Sequence, residues 1–280
     1  MLAWLKDRFR RGPVVPVVRL SGVIASGGLL GSRGLSIENV APLLKRAFEM
    51  RGAKAVALSV NSPGGSPVQS ALIGQRIRLL AAEKDVRVIA FVEDVAASGG
   101  YWLACAADEI IVDPSSIVGS IGVISAGFGF QDLIARMGVE RRMHTSGERK
   151  SMLDPFRPEK PEDIERLHRL QAEIHDGFKD WVRARRAGKL KAGEGTLFRG
   201  EFRTGKAGLD LGVVDGTGEL RATLQARYGA KVHLPVIGPR RRLLSRFGLG
   251  TSVGGTGIDD IGPATLAAIE ERLHWQRFGL

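Results

Sequence analysis

Two successive segments of this chain repeat one plan, and that repetition restricts the fold more than any other feature. In each, a short apolar run rich in β-branched residues gives way to a glycine pair and then to a helix. The first is AVALSVNSPGGSPVQSALIGQRIRLLAA, which predicts a strand over Ala55–Val60, a tight turn over Asn61–Gly65 and a helix over Pro67–Ala82. Val68, Leu72, Ile77 and Leu80 are expected on its packed side. The second predicts a strand over Val86–Val92 and a helix over Ala96–Ala107, with Ser98 at the junction and Gly99 and Gly100 after it. Upstream, Val14–Leu20 reads as a first strand and Ile37–Met50 as a helix, with Ile37, Val40, Leu44, Ala47 and Phe48 at helical spacing. Strand and helix alternating in this way imply α/β crossovers.

Glycine pairs at a strand-to-helix turn let the backbone bend sharply and present free amides at a helix start, where negative charge is favoured. Two such turns side by side point two amides at one spot, the arrangement of an oxyanion hole. A serine at the second turn has two readings. Ser98 is either a plain N-cap or a nucleophile, and the spacing alone does not separate them.

The motifs VNSPGG, VAASGGYWLACAADEI, VGSIGVI, SGERKSMLDPF and RTGKAGLDLGVVDG occur in this order. Together they resemble the signal peptide peptidase A family, S49 serine peptidases of the ClpP/crotonase-like fold, over about residues 17–230. The resemblance implies a Ser-Lys dyad without a catalytic histidine or a cofactor. Ser98 would be the nucleophile and Lys150 the general base. The amides of Gly65 and Gly99 would form the oxyanion hole, and Ser120 would orient the lysine. Spacing does not distinguish Lys150 from Lys54 or Lys84; only the motif does. A free lysine amine titrates near ~10.4, so a base working near neutrality demands burial, with Glu148 and Asp154 turned away from it. The family's long form links two such domains, so in a single-domain chain the resemblance implies a homo-oligomeric ring with the dyad shared between subunits. Peptides such as signal-peptide remnants or membrane-associated polypeptides are the substrates it implies.

Around this centre, Gly22–Gly34 reads as a glycine-rich loop near the site, Gln131–Met137 as a short helix and Val139–Thr145 as a strand leading to Lys150. Pro161–Arg186 predicts the longest helix, with Ile164, Leu167, Leu170, Ile174, Phe178 and Trp181 three or four apart. Acidic residues open that helix and arginines close it, as its dipole favours. His168 and His175 share this helix, but no cysteine or carboxylate cluster stands at ligand spacing, so no metal is expected and both read as surface residues. Cys105, the single cysteine, reads as a buried structural thiol and gives no disulfide framework.

The expected organisation is a basic N-terminal segment over 1–13, a peptidase domain over 14–234 and a basic, glycine-rich extension over 235–280 with a helical piece at 263–275. The N-terminus has Trp4, Leu5 and Phe9 among basic residues but no apolar core of signal-peptide length, and no transmembrane stretch is visible. This reads as a cytoplasmic or peripherally membrane-associated protein. The net charge of +11 and the Arg240–Arg242 run suit solvation or an anionic surface, while stacking aromatics for a specific nucleic-acid platform are sparse. Two other functions stand beside the peptidase. One is a crotonase-type acyl-CoA hydratase or isomerase using Glu93 and Asp94 with the same oxyanion hole; the other is a non-catalytic scaffold.

Overall fold

The structure is a computed structural model and describes residues 12–26, 34–238, 272 and 275–279. Expectations for 1–11, for 27–33 of the glycine-rich loop, for Arg240–Arg242 and for most of the C-terminal helical piece fall outside these residues.

Strands β1 (Val17–Ser21), β2 (Val56–Ser62) and β3 (Val88–Ala97) lie parallel at the centre of one sheet. Their side chains are buried on both faces, as near-continuous Val, Ile, Leu and Ala runs require. The crossovers are helix α1 (Ile37–Phe48) between β1 and β2, and α2 (Pro67–Lys84) between β2 and β3. The sheet is completed by β4 (Glu109–Val112), β5 (Ile117–Gly119), β6 (Phe202–Thr204), β7 (Gly216–Thr217) and β8 (Val236–Ile237). β8 pairs with β1, so the sheet continues just past residue 234. The fold is α/β and ClpP/crotonase-like, with two strand-turn-helix units at its heart.

β3 is longer than the sequence suggests because it has two successive neighbours. Ile89–Val92 pair with β4 and Val95–Ala97 pair with β5, and between them a register irregularity loops Glu93 and Asp94 out to solvent. Ala96 and Ala97, expected in the following helix, therefore close the strand. Helix α3 spans only Gly99–Cys105.

α2 packs Ile77 and Leu80 as its apolar spacing suggests, but its first turns face the core with small residues and Ile73 rather than with Val68 and Leu72. Ser70, Ile73, Gly74, Ile77, Leu80 and Ala81 are buried, whereas Val68 and Leu72 are exposed at 64% and 40%. Small residues win because a β-carbon at Gly74 would stand 3.3 Å from the rings of Trp102 and Trp181. Close helix approach, not side-chain size, sets the rotation.

The longest helix, α5 (Pro161–Arg185), follows the short α4 (Gln131–Arg136). Its second half packs on α3: Trp102 stacks on Phe178 at 4.9 Å and on Trp181 at 5.8 Å, and Trp181 Nε1 donates to the Trp102 carbonyl. Beyond it the buried Arg186 guanidinium donates to the Gly212 carbonyl and to Asp215, pinning the helix end to the loop before β7. Burial alone would raise the Asp215 carboxyl; Arg186, the Ile110 amide and Lys189 outweigh it and hold the group below its ordinary value. The short α6 (Glu194–Leu197) and α7 (Gly205–Asp210) complete this side, and α8 (Leu220–Tyr228) covers a smaller core of Val17, Ile89 and Phe91 on the opposite face.

Residues 139–145 form no strand; they are irregular and almost wholly exposed. Its two β-branched residues, Val139 and Thr145, stand at its ends with Glu140, Arg141 and Arg142 between them, and no strand among the described residues offers it a ladder. It belongs to an arm over residues 124–160 that stands off the sheet. The Phe130 amide donates to the Pro155 carbonyl at its base, and Phe130 lies 5.6 Å from Phe156.

Candidate active site

Ser98 sits at the end of β3 and the start of α3 with φ 52° and ψ −120°. That is not the left-handed helical well that Asp85 occupies at the end of α2, with φ 50° and ψ 48°. A side chain held there costs about 1–3 kcal/mol and persists only where the surroundings fix it. Here they do: the Ser98 amide donates to the Gly119 carbonyl at 2.8 Å, and its carbonyl accepts from Trp102 at 3.0 Å. The hydroxyl makes no capping bond. By contrast, Ser36, Ser66 and Thr204 each cap the helix they precede, accepting from Asn39, Gln69 and Ala207. The capping bond of an N-cap reading is therefore not made, and a strained, half-buried serine is left whose hydroxyl has no hydrogen-bond partner among the described residues.

The turn after β2 is pressed against it. Gly64 and Gly65 have φ 104° and 141°, and a β-carbon on Gly64 would come within 2.8 Å of both the Gly99 amide nitrogen and Ser98 Cβ. A β-carbon on Gly65 would collide with the Ile24 carbonyl, and one on Gly99 with the Ser70 hydroxyl. Ile24 also pairs with this turn, donating to Gly64 and accepting from Ser66, so the described part of the glycine-rich loop does flank the site. Among the described residues the Gly65 and Gly99 amides have no hydrogen-bond acceptor. Gly64 and Ser70 carry this close packing, and in the sequence only the glycine pair hints at it.

Ser120 is next to Ser98 in the sheet. Ala97 and Gly119 are register partners, and the serine after each takes φ 52°. Neighbouring strands run about 4.8 Å apart, which sets the scale of their backbone separation. Ser120 is buried, and its amide donates to the Glu201 carbonyl at 2.8 Å.

Lys150 is not part of this cluster. It lies on the arm, exposed, with no ion pair among the described residues, while the carboxylate of Asp154 is taken up by Arg141 and by the Phe156 amide. On the same arm Ile124, Phe128, Leu133, Met137 and Val139 are all more than half exposed. Cys105 is buried and its thiol is pushed up to about 12, chiefly by desolvation, so it is chemically quiet. Glu93 accepts from Ser59 and Asp94 from Asn61 at an open cavity of about 440 Å³, whose lining also includes Asp113, Ser116 and Glu219 but none of Ser98, Gly65, Gly99 or Ser120. No metal-holding group of three or more His, Cys, Asp or Glu occurs among the described residues.

A family model described as Peptidase family S49 matches residues 81–232, more than half of the chain and the whole stretch from β3 to α8. The chain belongs to peptidase family S49. A Brucella abortus protein named Na(+)/H(+) antiporter NhaA is 53% identical over 272 residues, which cover 95% of this chain but 37% of that protein. Among S49-like relatives, the chloroplastic serine protease SPPA of Arabidopsis thaliana is 32% identical over 225 residues, 79% of this chain and 33% of the relative. The chain thus spans about a third of the length of these curated relatives. A solved structure of a mutant of the 1510-N membrane-bound stomatin-specific protease, in complex with a substrate peptide, aligns with a TM-score of 0.51 at 17% identity, covering 82% of this chain and 94% of that one. That likeness is one of fold. No helix of the described residues is long and apolar enough to cross a membrane.

Proposed function

We propose that this S49 member is a serine endopeptidase in which Ser98 Oγ attacks a peptide carbonyl and the Lys150 amine takes its proton. The carbonyl oxygen becomes the oxyanion, received by the Gly65 and Gly99 amides. The tetrahedral species then expels the amine half of the substrate, which leaves with the proton held by lysine, and water hydrolyses the acyl-serine ester. Ser120 orients the amine. One observation carries the reading: a strained serine without a capping bond, at a helix start, against a second glycine turn whose amide is also free. Support for a protease comes from the name of the Arabidopsis relative, and for peptide substrates from the peptide held by the structural neighbour.

Lys150 lies exposed on an arm with apolar residues in water, which favours a dyad completed by a second copy of the chain. Burial against the neighbour would strip water from the amine, and a repeated contact of this kind closes a ring. The unit over 14–234 would carry the chemistry, joined through β8 to the basic extension over 235–280. The segment over 1–13 and the net charge of +11 would favour peripheral contact with an anionic membrane, and membrane-derived peptides are the substrate class this suggests.

The test is labelling by a fluorophosphonate probe followed by subunit mixing. Wild-type protein should be modified at Ser98, and Ser98→Ala and Lys150→Ala proteins should each be silent. Unfolded together and reassembled, the two should regain peptidase activity. An active Ser98→Ala protein would refute the nucleophile, and silence of verified mixed assemblies would put both groups in one chain.

A further inference from the structure

His175, read from sequence as a surface residue, reaches into the site's foundations. From the middle of α5 its Nε2 stands 3.0 Å from the carbonyl oxygen of Ile121; His175 is half-buried and Ile121 almost completely buried. A buried carbonyl needs a donor. Nε2 supplies it in the imidazole tautomer that carries its proton there.

The place of that carbonyl matters. Ser120 holds the unfavourable φ of 52°, and such a residue keeps its conformation only if the groups on either side are tied down. On one side its own amide is bound by the Glu201 carbonyl, in the connection leading to β6. On the other side the next carbonyl along the chain is the one that faces His175. One turn further along α5, Phe178 stacks on Trp102 of the helix that begins at Ser98. A single rigid helix therefore touches the supports of both serine turns.

We propose that His175 is a positioning residue for Ser120: its bond to Ile121 keeps the Ser120 turn in the conformation from which the hydroxyl meets the base. This rests on the peptidase reading of the site. It requires no proton transfer by His175, which touches neither substrate nor nucleophile.

The experiment compares His175→Leu, which removes the donor, with His175→Gln, whose amide restores one, in the full-length protein with and without Ser120→Ala. Steady-state hydrolysis of a peptide substrate should show His175→Leu lowering kcat roughly ten- to a hundredfold with KM nearly unchanged, and His175→Gln recovering most of it. In the Ser120→Ala background His175→Leu should cost little more, since both act through one hydroxyl. Amide hydrogen exchange provides a readout that needs no catalysis. Exchange at Ser120 should quicken at least about tenfold in His175→Leu and return in His175→Gln, because its bond to Glu201 depends on the same turn. Unaltered exchange at Ser120, or losses that simply add in the double variant, would overturn the assignment. A wild-type chain that cleaves no peptide while its exchange responds as described would instead sink the peptidase reading and leave the positioning contact standing.

Discussion

The amide of Ser98 donates to the carbonyl of Gly119 at 2.8 Å, and this bond carries the β3–β5 ladder one step past its last register pair. It fixes the residue that the helix then begins from. The strain at Ser98 is thus held by sheet hydrogen bonding, so it persists in the resting protein and is not generated by substrate.

Relieving that strain should stabilise the protein at the cost of its function. Ser98→Gly removes the side chain from an unfavourable backbone conformation, and unfolding in urea should become harder by about 1 kcal/mol while fluorophosphonate labelling disappears. Ser66→Ala should do the opposite, losing about 1 kcal/mol through its missing cap while its catalytic turn survives. A Ser98→Gly protein clearly less stable than wild type would show that the turn is not strained.

Gly64→Ala should disable the site. Its β-carbon has no room beside Ser98 and Gly99, and its φ of 104° is costly for alanine. Activity should fall more than about a hundredfold with a stability loss of about 1–3 kcal/mol. Gly52→Ala is the control: its φ is also positive, but nothing lies within 4 Å of the new carbon, so about 1 kcal/mol should be lost and turnover kept.

The ion pair between Arg186 and Asp215 should appear in acid titration. Since the folded Asp215 carboxyl titrates below its ordinary 3.8, the native state holds fewer protons than the unfolded one. Its contribution is complete above that value and is lost as pH falls through the folded pKa. Asp215→Asn should flatten this part of the stability-pH curve. Arg186→Met, which leaves the partly buried carboxylate with only the Ile110 amide and Lys189, should cost about 1–3 kcal/mol by chemical denaturation.

Cys105 should resist thiol reagents. With its thiol pushed up to about 12 by burial, almost no thiolate exists at pH 8, and modification in native protein should await unfolding. Prompt labelling would mean that α3 opens readily.

The two glycine turns and their strands were legible from sequence because β-branched runs and glycine pairs act locally. The rotation of α2 was not, since Ser70 and Gly74 are chosen by the rings and backbone they meet, and hydrophobic spacing around Val68 and Leu72 points the other way. The true end of β3 was hidden too: Ala96 and Ala97 have helical propensity, but β5 offers them a ladder. The position of His175 opposite Ile121 joins residues that no local pattern connects. Lys150 stood out only by its motif, and the irregular stretch 139–145 lacks the neighbour that a strand needs.

The arm over 124–160 has a further consequence for how such a chain can diversify. It is closed at its base by the Phe130–Pro155 bond, and its tip packs on little else in the described chain. Loop-closure entropy rises only slowly with length, so residues inserted near 140–147 cost the folded domain little. Grafted loops there can be screened like the variable loops of an antibody, with the sheet left as a fixed frame. Changes of sequence can then accumulate in a part of the chain whose mutations scarcely touch folding.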